Sequence, residues 1–165
     1  MEAPSTQHWA AIKQILRYIQ GTLSYGCCYK TGGEKVALIG YNDGDLAGDI
    51  DNRKSTSGIA FFVGNNIVTW TSQKQKIVAL SSCEVEYVAA ATAAWQGVWL
   101  SRLIGELVGH EALSFKLLVD NKSAIALCKN PVYHVRNKHI DTKFHFIQEC
   151  IETGKMDVDH VGTDR

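Results

Sequence analysis

Apolar residues recur at helical spacing near the start of the chain, where Trp9, Ile12, Ile15, Leu16 and Ile19 follow Pro4, Ser5 and Thr6 and stop at Gly21. The stripe predicts a short amphipathic helix with a glycine stop. Over 37–42, 58–63 and 67–72 the pattern turns β-branched and aromatic, and Gly64-Asn65-Asn66 separates the last two runs. That predicts three antiparallel strands with a hairpin at the break. Ser81 and Glu84 then form a capping-box pair, after which Val88, Ala91, Ala94, Trp95, Val98, Trp99 and Leu103 run at helical intervals to Gly105. A long helix with one buried face is expected, and Trp70, Trp95 and Trp99 are expected to pack in the core.

Further on, 115–119 is a short apolar strand ending at Asp120, followed by a helix over 123–129 that Pro131 terminates. A helix over 138–152 and a strand over 156–160 complete the series. The order predicts one α/β domain with a mixed sheet. No repeat or low-complexity segment interrupts it, no apolar stretch nears the roughly 20 residues of a membrane span, and MEAPSTQHW lacks the pattern of a secretory signal.

Composition narrows the function classes. At 165 residues, 45% hydrophobic and 21% charged, the chain fits ordinary globular usage. Seventeen basic residues balance seventeen acidic ones, so any polynucleotide binding should be local and modest. Cys27, Cys28, Cys83, Cys128 and Cys150 form no CxxC pair, and His134, His139 and His145 lack zinc-ligand spacing. A reducing compartment is expected, with Cys27, Cys28 and Cys83 as ordinary buried thiols.

Three acids remain as candidate chemistry. Asp43 lies at the end of the first predicted strand, Glu86 in the first turn of the long helix, and Asp120 at the end of the fourth strand. If the first and fourth strands are neighbours, the acids converge into an all-oxygen donor set suited to magnesium. Two ions about 4 Å apart there would serve phosphodiester hydrolysis. Each acid also has an ordinary use, as turn residue, helix-dipole partner or cap. Arg53, Lys54, Ser55 and Thr56 are candidates for holding a substrate phosphate, as are Asn121 and the stretch containing His134, Arg136, Lys138 and His139. DGDLAGDIDN is no calcium loop, because Lys54 stands where the bidentate acid belongs.

The strings HWAAIKQILRYIQGTLSYG, YNDGDLAGDIDNRKSTSGIAFFVGNNIVTWTSQKQ, VALSSCEVEYVAAATAAWQGVWL and VDNKSAIALCKNPVYHVRNKHID together resemble the ribonuclease H region of copia-type retrotransposon Pol polyproteins. The resemblance covers nearly the whole chain. It implies a ribonuclease H-like fold over 35–165, α/β with a mixed five-stranded sheet flanked by helices, and makes 1–34 the tail of a reverse transcriptase connecting segment. It further implies two-metal endonucleolytic hydrolysis of the RNA strand of RNA–DNA hybrids, with Mg2+ as cofactor and Mn2+ as a substitute.

Catalytic and metal-binding roles carry over to Asp43, Glu86 and Asp120. Glu86 is preferred to Glu84 because EYVAA follows it, and Asp45 is the one loop acid expected near the metals. The implied partners are an RNA–DNA hybrid and the reverse transcriptase portion of the same polyprotein. A monomer is expected, without membrane association, in the cytoplasm, a virus-like particle or the nucleus. Members of the family carry a fourth acid in a final helix, within a string like ADILTK. Here MDVDHV leads into GTDR, no residue matches that acid, and neither Asp141 nor Asp164 inherits its role. The C-terminal helix is therefore expected to be missing and hydrolysis weak or absent, the alternative being an inactive remnant that binds nucleic acid or serves as a scaffold.

Overall fold

The computed structural model describes residues 3–32, 36–129 and 138–162, the side chains of 138–142 and 144 excepted. The elements are α1 (Thr6–Gly21), β1 (Leu38–Asp45), β2 (Thr56–Val63), β3 (Asn66–Lys74), α2 (Ser82–Val108), β4 (Phe115–Val119), α3 (Lys122–Lys129), α4 (Lys138–Glu152) and β5 (Met156–His160). Five strands form one sheet in the order β3-β2-β1-β4-β5. The β1–β2 and β2–β3 pairs are antiparallel, and β1–β4 and β4–β5 are parallel. The first and fourth strands are neighbours, as the convergence of the three acids requires.

Helix α2 covers one face of the sheet. Its buried stripe is built from Val85, Ala90, Ala91, Ala93, Ala94, Gly97 and Leu100, which meet Leu38, Phe61, Phe115, Leu117 and Val119 in the core. Small residues let the helix lie close: a Cβ on Gly97 would fall 2.4 Å from the Phe115 ring. Gly105 is likewise a packing glycine rather than the predicted stop, since a Cβ there would sit 2.9 Å from the Glu111 carbonyl oxygen. The helix runs on to Val108, and Gly109 closes it in the left-handed region at φ 73°.

Trp95 and Trp99 of α2 and Trp70 of β3 lie off the buried face, which corrects the expected core role of the tryptophans. Trp70, Trp95 and Trp99 are 63%, 62% and 56% exposed. Trp95 stacks instead on Phe146 of α4, ring centroids 4.2 Å apart. Cys27 and Cys28 are exposed and Cys83 is half-buried, so none is the buried thiol expected. The burial expected of a cysteine applies to Cys128 and Cys150, and desolvation pushes the Cys128 thiol up to about 12.

The capping chemistry also differs in detail. Ser81 Oγ accepts from the Glu84 N–H, but the Glu84 carboxylate accepts from the Leu80 N–H at 2.7 Å, one residue beyond the box position. A reciprocal box occurs at α1, where Ser5 pairs with His8. Helix α1 has no buried residue, and Trp9, Ile15, Leu16 and Ile19 are all more than half exposed. The segment after it is tied to the hairpin, since the Lys30 N–H donates to Asn66 Oδ1 at 2.8 Å and Asn66 Nδ2 donates to the Lys30 carbonyl at 3.1 Å. No helix among the described residues is long and apolar enough to cross a membrane.

Candidate metal centre

Strand register builds the site. In the parallel β1–β4 ladder the last pair is Asn42 opposite Val119, so Asp43 and Asp120 are the next residues on two adjacent strands. The third acid comes from the start of α2, which the buried Gln75 pins down: its Nε2 donates to the Val85 carbonyl at 3.0 Å and to Ser57 Oγ at 2.9 Å. Asp43, Glu86 and Asp120 each present a carboxylate oxygen, and the three oxygens lie within 4.8 Å of one another. Asp43 is exposed, Asp120 is half-buried and Glu86 is 4% exposed, so the cluster has a buried floor and an open mouth.

Glu86 is held at both oxygens. The Gly44 N–H donates to Oε1 at 2.8 Å, and Asn42 Nδ2 donates to Oε2 at 3.2 Å. Gly44 must be glycine for α2 to approach, because a Cβ would fall 2.6 Å from Val85 Cγ1 and 3.1 Å from Glu86 Oε1. Burial first, then the neighbouring charge of Asp120, push Glu86 up to about 7 against the pull of the Gly44 hydrogen bond, with Asp43 adding to the rise. Such a cluster favours a hard cation, whose charge would relieve this repulsion and whose preferred ligands are carboxylate oxygens. The donor set therefore fits a hard divalent cation.

The other candidates fall around or outside this centre. Asp45 turns toward Gly48, where a Cβ would lie 1.9 Å from its Oδ2. Glu84 serves the helix start. Ser55 is fully buried and its hydroxyl accepts from the Ala47 N–H, so it braces the loop after β1 instead of facing a substrate. Thr56 pairs with Asp45 and Lys74 within the sheet. Arg53 is exposed and, like Ala47, holds a left-handed backbone at φ 54°, while Lys54 is half-buried. Asp49 anchors the same loop through Lys74 at 2.8 Å, which holds its carboxyl below the usual range. Asn121 caps α3, its Oδ1 accepting from the Ser123 and Ala124 N–H groups. His134, Arg136, Asp164 and Pro131 lie outside the described residues, as do the side chains of Lys138, His139 and Asp141.

The sequence reading missed Asn42 and Gly44 as contributors. One signal was available for Asn42: strand alternation places it on the same inward face as Leu38 and Gly40, and a polar residue at such a position needs a partner. A ring nitrogen of His160, at the end of β5, also reaches the Asp120 carbonyl oxygen at 3.1 Å.

No family model matches the chain. The Retrovirus-related Pol polyprotein from transposon TNT 1-94 of Nicotiana tabacum is 43% identical over 164 residues, which are 99% of this chain and 12% of that protein. That from transposon RE2 of Arabidopsis thaliana is 39% identical over 163 residues, 99% of this chain and 11% of that protein. The chain thus spans about a tenth of the length of these curated relatives. LC11-RNase H1 in complex with an RNA/DNA hybrid superposes with a TM-score of 0.54 at 17% identity, covering 77% of this chain and 86% of its own. The foamy viral protease-reverse transcriptase in complex with dsDNA superposes with a TM-score of 0.58 at 12% identity, covering 99% of this chain and 30% of its own. At these identities the structural likeness is one of fold.

Proposed function

Given that this chain belongs to the copia-type retrotransposon Pol polyproteins, as their ribonuclease H region, we propose that it hydrolyses the RNA strand of RNA–DNA hybrids during retrotransposon reverse transcription. Its sheet and flanking helices have the ribonuclease H fold. The observation that carries the reading is the convergence of Asp43, Glu86 and Asp120 within 4.8 Å.

In this reading the three acids are the catalytic and metal-binding residues. A pair of divalent cations, Mg2+ or Mn2+, supplies an activated water and neutralises charge on the scissile phosphate when bound. The chain's own part is to hold and orient. Asp43 and Asp120 face the open mouth from neighbouring strand ends, and the clamped Glu86 forms the floor. Arg53, exposed on the loop after β1, is the cation proposed to steer a polyanion. Preference for RNA on the cut strand rests on the 2′-hydroxyl, the group that separates RNA from DNA.

Residues 1–34 belong in this proposal to the reverse transcriptase side of the polyprotein, with the ribonuclease H domain beginning at 35. Support comes from coverage: the foamy viral protease-reverse transcriptase superposes on 99% of the chain in its dsDNA complex and on 85% in its RNA/DNA hybrid complex, whereas LC11-RNase H1 superposes on 77%. The reverse transcriptase portion is the proposed protein partner. The domain itself is proposed to be a monomer acting in the cytoplasm, a virus-like particle or the nucleus.

The alternative reading is binding of the hybrid without turnover. One experiment decides between them. The chain is incubated with a labelled RNA–DNA hybrid and with the matching DNA duplex, in Mg2+ or Mn2+, beside Asp43→Asn. Hybrid-specific cleavage that disappears in Asp43→Asn supports the enzyme. Hybrid retention without cleavage supports the binding module, and indifference to both hybrid and metal sinks the proposal.

A further inference from the structure

Asn42 is a buried polar residue, 5% exposed, in the middle of a sheet, and the proposed reaction gives it no role. Its side chain faces only acceptors: Nδ2 lies 3.2 Å from Glu86 Oε2 and 3.5 Å from the Glu86 carbonyl oxygen. When Glu86 is ionised, as a metal ligand must be, its carboxylate and its carbonyl accept and cannot donate, so the amide turns its NH2 toward them. The cost of that orientation is visible, because Asn42 Oδ1 is left buried without a partner. A group that leaves its own acceptor unsatisfied while serving a neighbour is unusual in a protein interior.

The clamp is selective about which lone pairs it uses. Each carboxylate oxygen accepts about two hydrogen bonds. Gly44 takes one site on Oε1 and Asn42 one on Oε2, so the remaining sites are free for the mouth where Asp43 and Asp120 present their oxygens. The Gly44 bond alone would leave the carboxylate able to rotate about its last torsion, which is soft for glutamate. The second donor fixes the plane.

We propose that Asn42 is a positioning residue, which orients the Glu86 carboxylate for divalent-cation binding from behind without touching cation or substrate. The inference rests on the reading of Glu86 as a metal ligand and goes beyond it by assigning a supporting residue. Loss of such outer support lowers metal affinity by about 10–100-fold. A purely structural asparagine would behave otherwise, because replacing it by an apolar residue of similar shape would change melting temperature and leave metal affinity alone.

The test is Mn2+ binding by the whole chain, followed by isothermal calorimetry and electron paramagnetic resonance, with thermal melts in parallel. Asn42→Leu keeps the approximate volume and removes the donor, and Asn42→Ala is the second variant should leucine not fit. The expected result is a fall in Mn2+ affinity of about tenfold or more with a folded protein. Wild-type affinity in either folded variant overturns the proposal, as does failure of both variants to fold, which would make Asn42 a packing residue. Asp43→Asn serves as the reference. If it abolishes binding while the Asn42 variants bind normally, the positioning role alone fails. If the unaltered chain binds no Mn2+, the metal reading of the site fails and the positioning role falls with it.

Discussion

Helices α1 and α2 both carry apolar side chains at three- and four-residue intervals, yet α2 is buried along most of its length whereas no residue of α1 is. The difference lies in what each stripe meets, since α2 lies against the sheet and nothing among the described residues covers α1. In α2 the stripe mixes alanine and glycine with Val85, Tyr87, Val88 and Leu100, and its small residues let the backbone approach the sheet closely enough to exclude water and to aim its first turn at the ends of β1 and β4. In α1 it is tryptophan, isoleucine and leucine, and nothing among the described residues buries it. A helical hydrophobic pattern therefore marks a face that can be covered, whereas the surface that covers it is settled only by tertiary structure. Helix α2 positions a catalytic candidate because it is packed, and α1 positions none.

Four experiments break or sharpen this contrast, taken from the largest expected effect to the smallest. Gly97→Val places a branched side chain against the Phe115 ring, where even a Cβ would be 2.4 Å away. The expected loss is about 3 kcal/mol in urea denaturation. A loss below about 0.5 kcal/mol would mean that α2 is not held against the sheet by close packing.

The second experiment reads pH. With Glu86 raised from 4.5 to about 7, the folded chain keeps a proton between those values that the unfolded chain has released. Metal-free stability is therefore greatest below pH 4.5 with respect to this group and declines as pH rises through 7. The decline is on the order of 2 kcal/mol and is read by thermal melts with a chelator present between pH 5 and 7.5. Glu86→Gln should flatten that slope, since a glutamine does not ionise, and Asn42 can turn its amide over and offer the unpartnered Oδ1 to the new NH2. The same variant should lose Mn2+ binding. A slope unchanged in Glu86→Gln would assign it to another group.

Third, Glu84→Gln removes the carboxylate that accepts from the Leu80 N–H at the start of α2. A stability loss of about 1 kcal/mol with unchanged Mn2+ affinity is expected. Loss of metal binding here, with Glu86→Gln silent, would exchange the roles of the two glutamates. Last, Leu16→Ser on the exposed face of α1 should alter the unfolding free energy of this chain by less than about 0.5 kcal/mol. A larger effect would show that α1 packs on the domain after all.

The site was legible in the sequence to different depths. Asp43, Glu86 and Asp120 could be named because each sits at a strand or helix boundary inside a long motif, and the structure brings their oxygens together. The loop candidates were less legible. Ser55 and Thr56 look like phosphate-binding hydroxyl residues in a basic turn, but Ser55 is spent on Ala47 and Thr56 on the sheet. Whether a hydroxyl points in or out depends on strand register, and sequence alone does not print it. Asn42 and Gly44 escaped for the related reason that their partner, Glu86, is more than forty residues away in the chain.

By itself the sequence determined the element order, the extent of β4 and β5, and the acids at their boundaries, because apolar periodicity, turn residues and caps act over a few neighbouring positions. Tertiary structure decided the rest. The parallel register of Asn42 opposite Val119 sets Asp43 beside Asp120. The face of α2 that meets the sheet leaves Trp95 and Trp99 on the exposed side. The clamp on Glu86 joins β1 to α2. Each of these depends on which surfaces meet, a choice made by volume and by the pairing of buried polar groups across long stretches of chain, and no local pattern carries that information.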